Sequence, residues 1–133
     1  MHQIEGYILS EFIRMLEHFG YTVPKPKKDC LDGMREIMDR LGLSYADVCG
    51  MVRQCGGDRA VAIYRAKCDG WWKGDACADI RKAPGDRALA IYWAKCYGWW
   101  EGDACADIRE APGERVWAIY RAKRDGWWEE APC

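Results

Sequence analysis

Histidine is nearly missing. The chain has two, His2 and His18, and none in the 115 positions that follow. No Ser-His or Cys-His arrangement is available there, and no glycine-rich loop cradles phosphate, so the residues assemble no catalytic constellation. The protein is therefore read as non-enzymatic. C-x2-C pairs are absent too, which removes the spacing that zinc chelation requires. No metal and no cofactor is expected. No apolar run approaches the length of a bilayer span. The opening MHQIEGYILSEFIRML sets Glu5 and Glu11 among its apolar residues and offers no small-residue cleavage site. No export signal and no membrane segment are expected, and a cytoplasmic setting follows. Net charge is also missing: 20 Lys and Arg oppose 21 Asp and Glu, leaving −1. Proteins that live on nucleic acid carry a basic excess to neutralise phosphates, so that partner is disfavoured.

Cysteine, by contrast, is plentiful at eight residues. Most of that number is repetition. Cys49, Cys77 and Cys105 are one position met three times, and Cys68 and Cys96 another. With no export signal and a core that repetition can supply, free and largely buried thiols are expected rather than a disulfide framework.

The repetition is the organising feature. Gly57 to Pro84 reads GDRAVAIYRAKCDGWWKGDACADIRKAP, and Gly85 to Pro112 differs from it at five positions. A third copy begins at Gly113 as GERVWAIYRAKRDGWW. A 28-residue period suits one helix pair per copy. Gly42 aligns with Gly70, Gly98 and Gly126, and Asp47-Val48-Cys49 with Asp75-Ala76-Cys77, so Asp29–Gly56 is a divergent first copy. The fold expected is all-α: an N-terminal helix followed by a short right-handed solenoid of three full units and a half unit. The boundaries are 1–28 for the helix and linker and 29–133 for the array, divided 29–56, 57–84, 85–112 and 113–133.

Ile4, Ile8, Phe12, Met15, Leu16 and Phe19 predict an amphipathic helix over 4–19, stopped by Gly20. YTVPKPKKD then reads as an extended linker, its Lys25, Lys27 and Lys28 solvated. Leu31, Met34, Met38 and Leu41 stripe a second helix from Asp29. Ser44 with Asp47 forms a capping box for a third, which buries Val48, Val52 and Cys55. Within each later copy Asp58, Asp86 or Glu114 is expected to cap the first helix, and Gly70 to end it. Asp75 caps the short second helix, and Pro84-Gly85 turns the chain. Val61, Tyr64 and Cys68 form the main apolar face, with Ala62 and Ala66 allowing close approach. This layout resembles a shortened tetratricopeptide unit: an Ala- and aromatic-rich first helix, Gly-Asp before the second helix, and a closing proline. The likeness covers the array alone. The family's longer period and its Trp, Leu-Gly and Tyr spacing are not found, and no binding residue is carried over.

Three Trp-Trp pairs recur at 71–72, 99–100 and 127–128. The first of each is expected to fill a joint between copies and the second to be half exposed. Asp79, Arg81, Asp107 and Arg109 read as surface charge or as a salt-bridge ladder between copies. Ser44 to Lys67 also fits a helix-turn-helix with Arg59 and Arg65 facing DNA. The repeat accounts for the same residues without DNA.

Near-identical copies are most informative where they disagree. Arg65 with Asp69 becomes Trp93 with Tyr97, then Arg121 with Asp125, each pair spaced i, i+4. The outer pairs read as exposed ion pairs. Trp93 and Tyr97 are then exposed aromatics beside Trp100, the composition of an interaction hot spot. The site expected is a partner-binding patch of Trp93, Tyr97 and Trp100, flanked by Arg65 and Arg121. The partner is another protein, the chain acting as an adaptor or stoichiometric inhibitor. A phage- or plasmid-borne inhibitor of a host defence system and a DNA-binding regulator are the alternatives. Val116, Trp117 and Tyr120 leave the C-terminal end partly open, which offers a homodimer surface.

Overall fold

The computed structural model describes residues 9–55, 59–111 and 115–130. The described residues form eight α-helices and no strand. The all-α expectation holds. Ile4, Ile8, the caps at Asp58 and Glu114 and the thiol of Cys133 lie outside the described residues. By contact the chain divides into two units, Met1–Cys55 with Arg65–Gly74, and Gly56–Tyr64 with Asp75–Cys133.

In the first unit α1 (Leu9–His18) buries Phe12, Met15 and Leu16, the i, i+3, i+4 set that the sequence shows. Helix α2 (Cys30–Leu41) buries Met34, Ile37 and Met38, and α3 (Tyr45–Gln54) buries Val48, Cys49 and Val52. Leu31, Leu41 and Cys55 are only half-buried, because each sits at an element's end. The capping box is present: Ser44 Oγ accepts from Asp47 N–H, and the Asp47 carboxylate accepts from Ser44 N–H. The lysines of the linker are exposed, yet their backbone is tied down. The N–H groups of Lys27 and Lys28 donate to the Glu36 carboxylate at 3.0–3.1 Å. Arg65, from the part of α4 (Arg59–Asp69) assigned to this unit, pairs with Glu11 at 3.6 Å.

The second unit holds α5 (Ala76–Arg81), α6 (Arg87–Cys96), α7 (Ala104–Arg109) and α8 (Arg115–Asp125), with Arg59–Tyr64 of α4. Short α5 and α7 start alike. Asp75 and Asp103 accept from the N–H of Ala78 and Ala106 at 3.1 Å, which satisfies an orphan donor of a six-residue helix. Asp86 stands at the N-cap of α6 but makes no side-chain cap hydrogen bond. The cap expected of it is not formed, because its backbone is not extended as a capping residue requires (ψ 67°). Helix α6 buries Ala88, Ala90, Ile91, Tyr92 and Ala94, and α8 buries Ala118 and Ala122. Small side chains let packed helices approach closely. On α4 the buried alanines are Ala60 and Ala66. Ala62, expected to face a neighbour, is half-exposed.

Helices α4, α6 and α8 stop in one way. Gly70, Gly98 and Gly126 take φ of 84–88°, which L side chains rarely adopt. The following Trp N–H then reaches back five residues: Trp71 to Ala66 O, Trp99 to Ala94 O and Trp127 to Ala122 O, each 3.1 Å. This is a Schellman closure with a hydrophobic residue at its end. It fixes where every Trp-Trp pair leaves its helix.

Candidate functional site

A thiol, an arginine and a Trp-Trp pair make the same set of contacts three times, each 28 residues on. In the first unit Cys49 Sγ lies 3.8 Å from Trp71 O and accepts from Lys73 N–H at 3.3 Å. Arg53 donates to Lys73 O at 2.5 Å and lies 4.7 Å over the Trp72 ring. In the second unit Cys77 stands 3.7 Å from Trp99 O and accepts from Glu101 N–H at 3.4 Å. Arg81 donates to Glu101 O and lies 4.6 Å over Trp100. Cys105 treats Trp127 and Glu129 alike, and Arg109 donates to Glu129 O and covers Trp128 at 4.9 Å. A thiol serves here as a small group that is weakly donor and acceptor at once. Gly102 leaves the space that Arg81 needs: a Cβ there would stand 2.6 Å from the Arg81 guanidinium.

These contacts revise the expected roles of the tryptophans. Trp71 is buried as expected, but Trp72 and Trp100 are buried as well, each 8% exposed. Trp99, Trp127 and Trp128 are half-buried. Trp100 therefore belongs to a joint rather than to an exposed patch. Its Nε1–H donates to Asp107 Oδ2 at 3.1 Å, and Arg81 pairs with the same oxygen at 3.1 Å. The Arg81–Asp107 pair is one rung of the ladder that the sequence suggests.

The exchanged pairs also find partners that the sequence conceals. Tyr64, Tyr92 and Tyr120 share one register position. Tyr64 is buried against Trp93 (ring centroids 5.3 Å), Tyr97 (6.1 Å) and Trp99 (5.9 Å, 20°). Tyr92 is buried in the same way against Trp117 (5.6 Å) and Trp127 (5.9 Å, 20°). Its hydroxyl donates to Asp125 Oδ2 at 2.5 Å. Trp93 and Tyr97 thus cover Tyr64 where Arg121 and Asp125 cover Tyr92. Asp125 pairs with Tyr92 and Arg124, and Arg121 stacks on Trp117 at 4.4 Å. The i, i+4 ion pair expected of Arg121 and Asp125 gives way to these contacts, and Arg65 pairs with Glu11. Trp93 is half-buried rather than exposed, while Tyr97 is 60% exposed. Of the expected patch, Tyr97 with the outer part of Trp93 stays on the surface. Trp100 does not, and Arg65 and Arg121 are engaged within the chain.

The Tyr92–Asp125 contact predicts a pH dependence. Burial first, and then the neighbouring Asp125 carboxylate, raise the Tyr92 phenol well above its ordinary range. The Tyr92 hydrogen bond holds the Asp125 carboxyl below its ordinary value. A depressed acid contributes stability above its unfolded pKa (~3.9) that is lost as pH falls through the folded value. A raised phenol contributes stability below about pH 10 that is lost as pH rises through its folded value. Wild type is expected to be more stable than Asp125→Asn at pH 7. Urea unfolding between neutral pH and about pH 2.5 should show that gap closing on the acid side; a gap that stays constant refutes the pairing.

Chemistry beyond packing is sparse. The seven described cysteines, Cys30 to Cys105, are free. Asp75, Cys77 and Glu101 bring three ligand-type atoms within 4.8 Å of one another. No sequence spacing announces this group, because Glu101 comes from the next copy. Burial pushes the Cys77 thiol up, which favours the neutral form. Its sulfur already meets Trp99 O and Glu101 N–H, and Asp75 already caps α5. The cluster is accounted for by the joint. Among the described residues no helix is long and apolar enough to cross a membrane.

No protein-family model matches the chain, and no curated protein or solved structure is similar to it.

Proposed function

We propose that the protein is a non-enzymatic binding module that occupies a surface of another protein, as an adaptor or a stoichiometric inhibitor. An inhibitor of a host defence system carried by a phage or plasmid is one instance of that chemistry. The observation that carries the reading is Tyr97, a large aromatic 60% exposed beside half-buried Trp93, where the flanking copies place Asp and Arg. Aromatic residues at such places are the commonest anchors of protein interfaces. We further propose that the helix pairs stack as a solenoid of 28-residue units. The thrice-repeated Cys–Arg–Trp-Trp contacts support it. Free thiols accord with a cytoplasmic setting. A homodimer through α8 is the competing partner, and DNA the competing class.

Salt separates protein from DNA. Phosphate-driven binding weakens by about a thousandfold or more between 50 and 200 mM salt when six or more phosphates are contacted, whereas an aromatic-centred protein contact changes little. The chain is titrated against a mixed-sequence DNA duplex at low salt, and against its isolated protein partner over the same salt range. No duplex binding and a salt-insensitive protein complex are expected. Tight, salt-steep duplex binding overturns the proposal.

A further inference from the structure

Two open cavities occupy the same place in the repeat, two copies apart. One, in the second unit, is lined by Lys95, Gly102 and Glu129; the other, in the first unit, by Asp39, Ala46 and Lys73. Position for position these residues correspond, and the two charges are reversed: an acid replaces the lysine and a lysine replaces the glutamate. In the second unit the lysine has a seat, 5.8 Å over the Trp127 ring. In the first unit the equivalent ring, Trp71, is taken by Tyr45, stacked on it at 5.6 Å and 21°. Asp39 and Lys73 are both exposed, and among the described residues neither side chain makes an ion pair or a hydrogen bond. They line one cavity but stand too far apart to pair with each other.

The rest of this cavity is apolar and held in place. Its volume is about 500 Å³. That falls among the sites that enclose drug-sized ligands, about 300–1,000 Å³. Met38 is buried, and Leu43 and Tyr45 are half-buried. The backbone of Lys73 is fixed on both sides, its N–H on Cys49 Sγ and its carbonyl under Arg53. The Tyr45 hydroxyl accepts from Arg35 Nε at 2.9 Å. Arg35 is spent there and on Asp32 at 3.8 Å, so the charges left to a ligand are one carboxylate and one ammonium. Walls ordered beforehand lower the entropic cost of binding.

We propose that this cavity binds a short apolar peptide as a zwitterion. Its amino terminus meets the Asp39 carboxylate, beside the electron-rich face of Tyr45, which favours a cation. Its carboxyl terminus meets the Lys73 ammonium, and its side chains lie on Met38 and Leu43. A simple anion or a simple cation satisfies only one of the two charges and leaves the other facing it. The site shares no residue with Trp93 and Tyr97 and does not depend on their role.

The probe is the tripeptide Leu-Ala-Leu with both ends free, titrated into the full chain by calorimetry. Saturable binding at one site is expected. Asp39→Asn and Lys73→Gln should each weaken it about tenfold, the loss of one charge-assisted hydrogen bond. Both residues are exposed, so both variants should melt with wild type. Blocking the peptide locates each end. The N-acetylated peptide should bind weakly and lose nothing further to Asp39→Asn, and the C-amidated peptide should behave so towards Lys73→Gln. A free tripeptide that does not bind, blocked peptides that bind as well as the free one, or variants that bind as well as wild type overturn the proposal. Free leucine binding as tightly as the tripeptide also overturns it, since the ligand would then be a single amino acid.

Discussion

Changing Trp93 to Arg and Tyr97 to Asp together is expected to lower affinity for the protein partner by about a thousandfold and to leave the fold in place. The variant turns the central copy into its neighbours, which carry Arg65 with Asp69 and Arg121 with Asp125. Buried aromatic anchors at an interface are worth about 2 kcal/mol each, and two together give roughly that fold-change. The fold is spared for a reason visible at the next joint. There Tyr92 is covered by Arg121 and Asp125, with its hydroxyl on a carboxylate. An aspartate at 97 is placed to receive the Tyr64 hydroxyl as Asp125 receives that of Tyr92. Losing the Tyr64–Trp93 and Tyr64–Tyr97 ring contacts costs about 0.5–1.5 kcal/mol each. A charge-assisted hydrogen bond returns about 1.5–3 kcal/mol. The melting temperature should therefore stay within a few degrees of wild type. Partner affinity and thermal unfolding are measured side by side. A variant that melts far lower makes the pair core; one that folds and binds normally moves the site elsewhere.

The sequence displays local structure better than it displays faces. Helix ends are legible because the signals are chemical and short-range: Ser44 with Asp47, Asp75, Asp103 and the glycines before each Trp all act where they stand. The division of Trp-Trp pairs into buried and exposed members is not legible. What buries Trp100 is Arg81 from the preceding copy and Asp107 from the following helix. Burial by long-range partners leaves no mark at the residue itself. The exchanged pairs misled for the same reason. Their i, i+4 spacing suggests ion pairs along one helix, yet Arg65 reaches Glu11 and Asp125 reaches Tyr92. A signal was available in the invariant Ala-Ile-Tyr of all three copies. An invariant tyrosine facing a variable pair marks a joint, and the variation tracks its contacts rather than solvent. Tyr120 shows the converse, the same residue type largely exposed where no other described helix covers it.

Trp100→Ala is expected to destabilise the protein by about 3–5 kcal/mol, the range for truncating a buried tryptophan. The ring is 8% exposed, lies under the Arg81 guanidinium at 4.6 Å and meets Trp99 at 6.4 Å. Its removal strips the cover from the α5–α6–α7 joint. It also takes one donor from Asp107 and leaves Arg81 without its aromatic seat. Trp128 is the internal control. It has the same register and the same arginine contact, from Arg109 at 4.9 Å, but is only half-buried. Trp128→Ala should cost about 1–2 kcal/mol, the worth of partial burial and an exposed cation–π contact. Denaturant unfolding followed by far-ultraviolet circular dichroism separates the two, because that signal does not depend on which indole remains. The gap between the variants is the quantity of interest. Equal costs refute the burial of Trp100. A Trp100→Ala protein that unfolds with wild type but has lost its partner returns this residue to the binding surface.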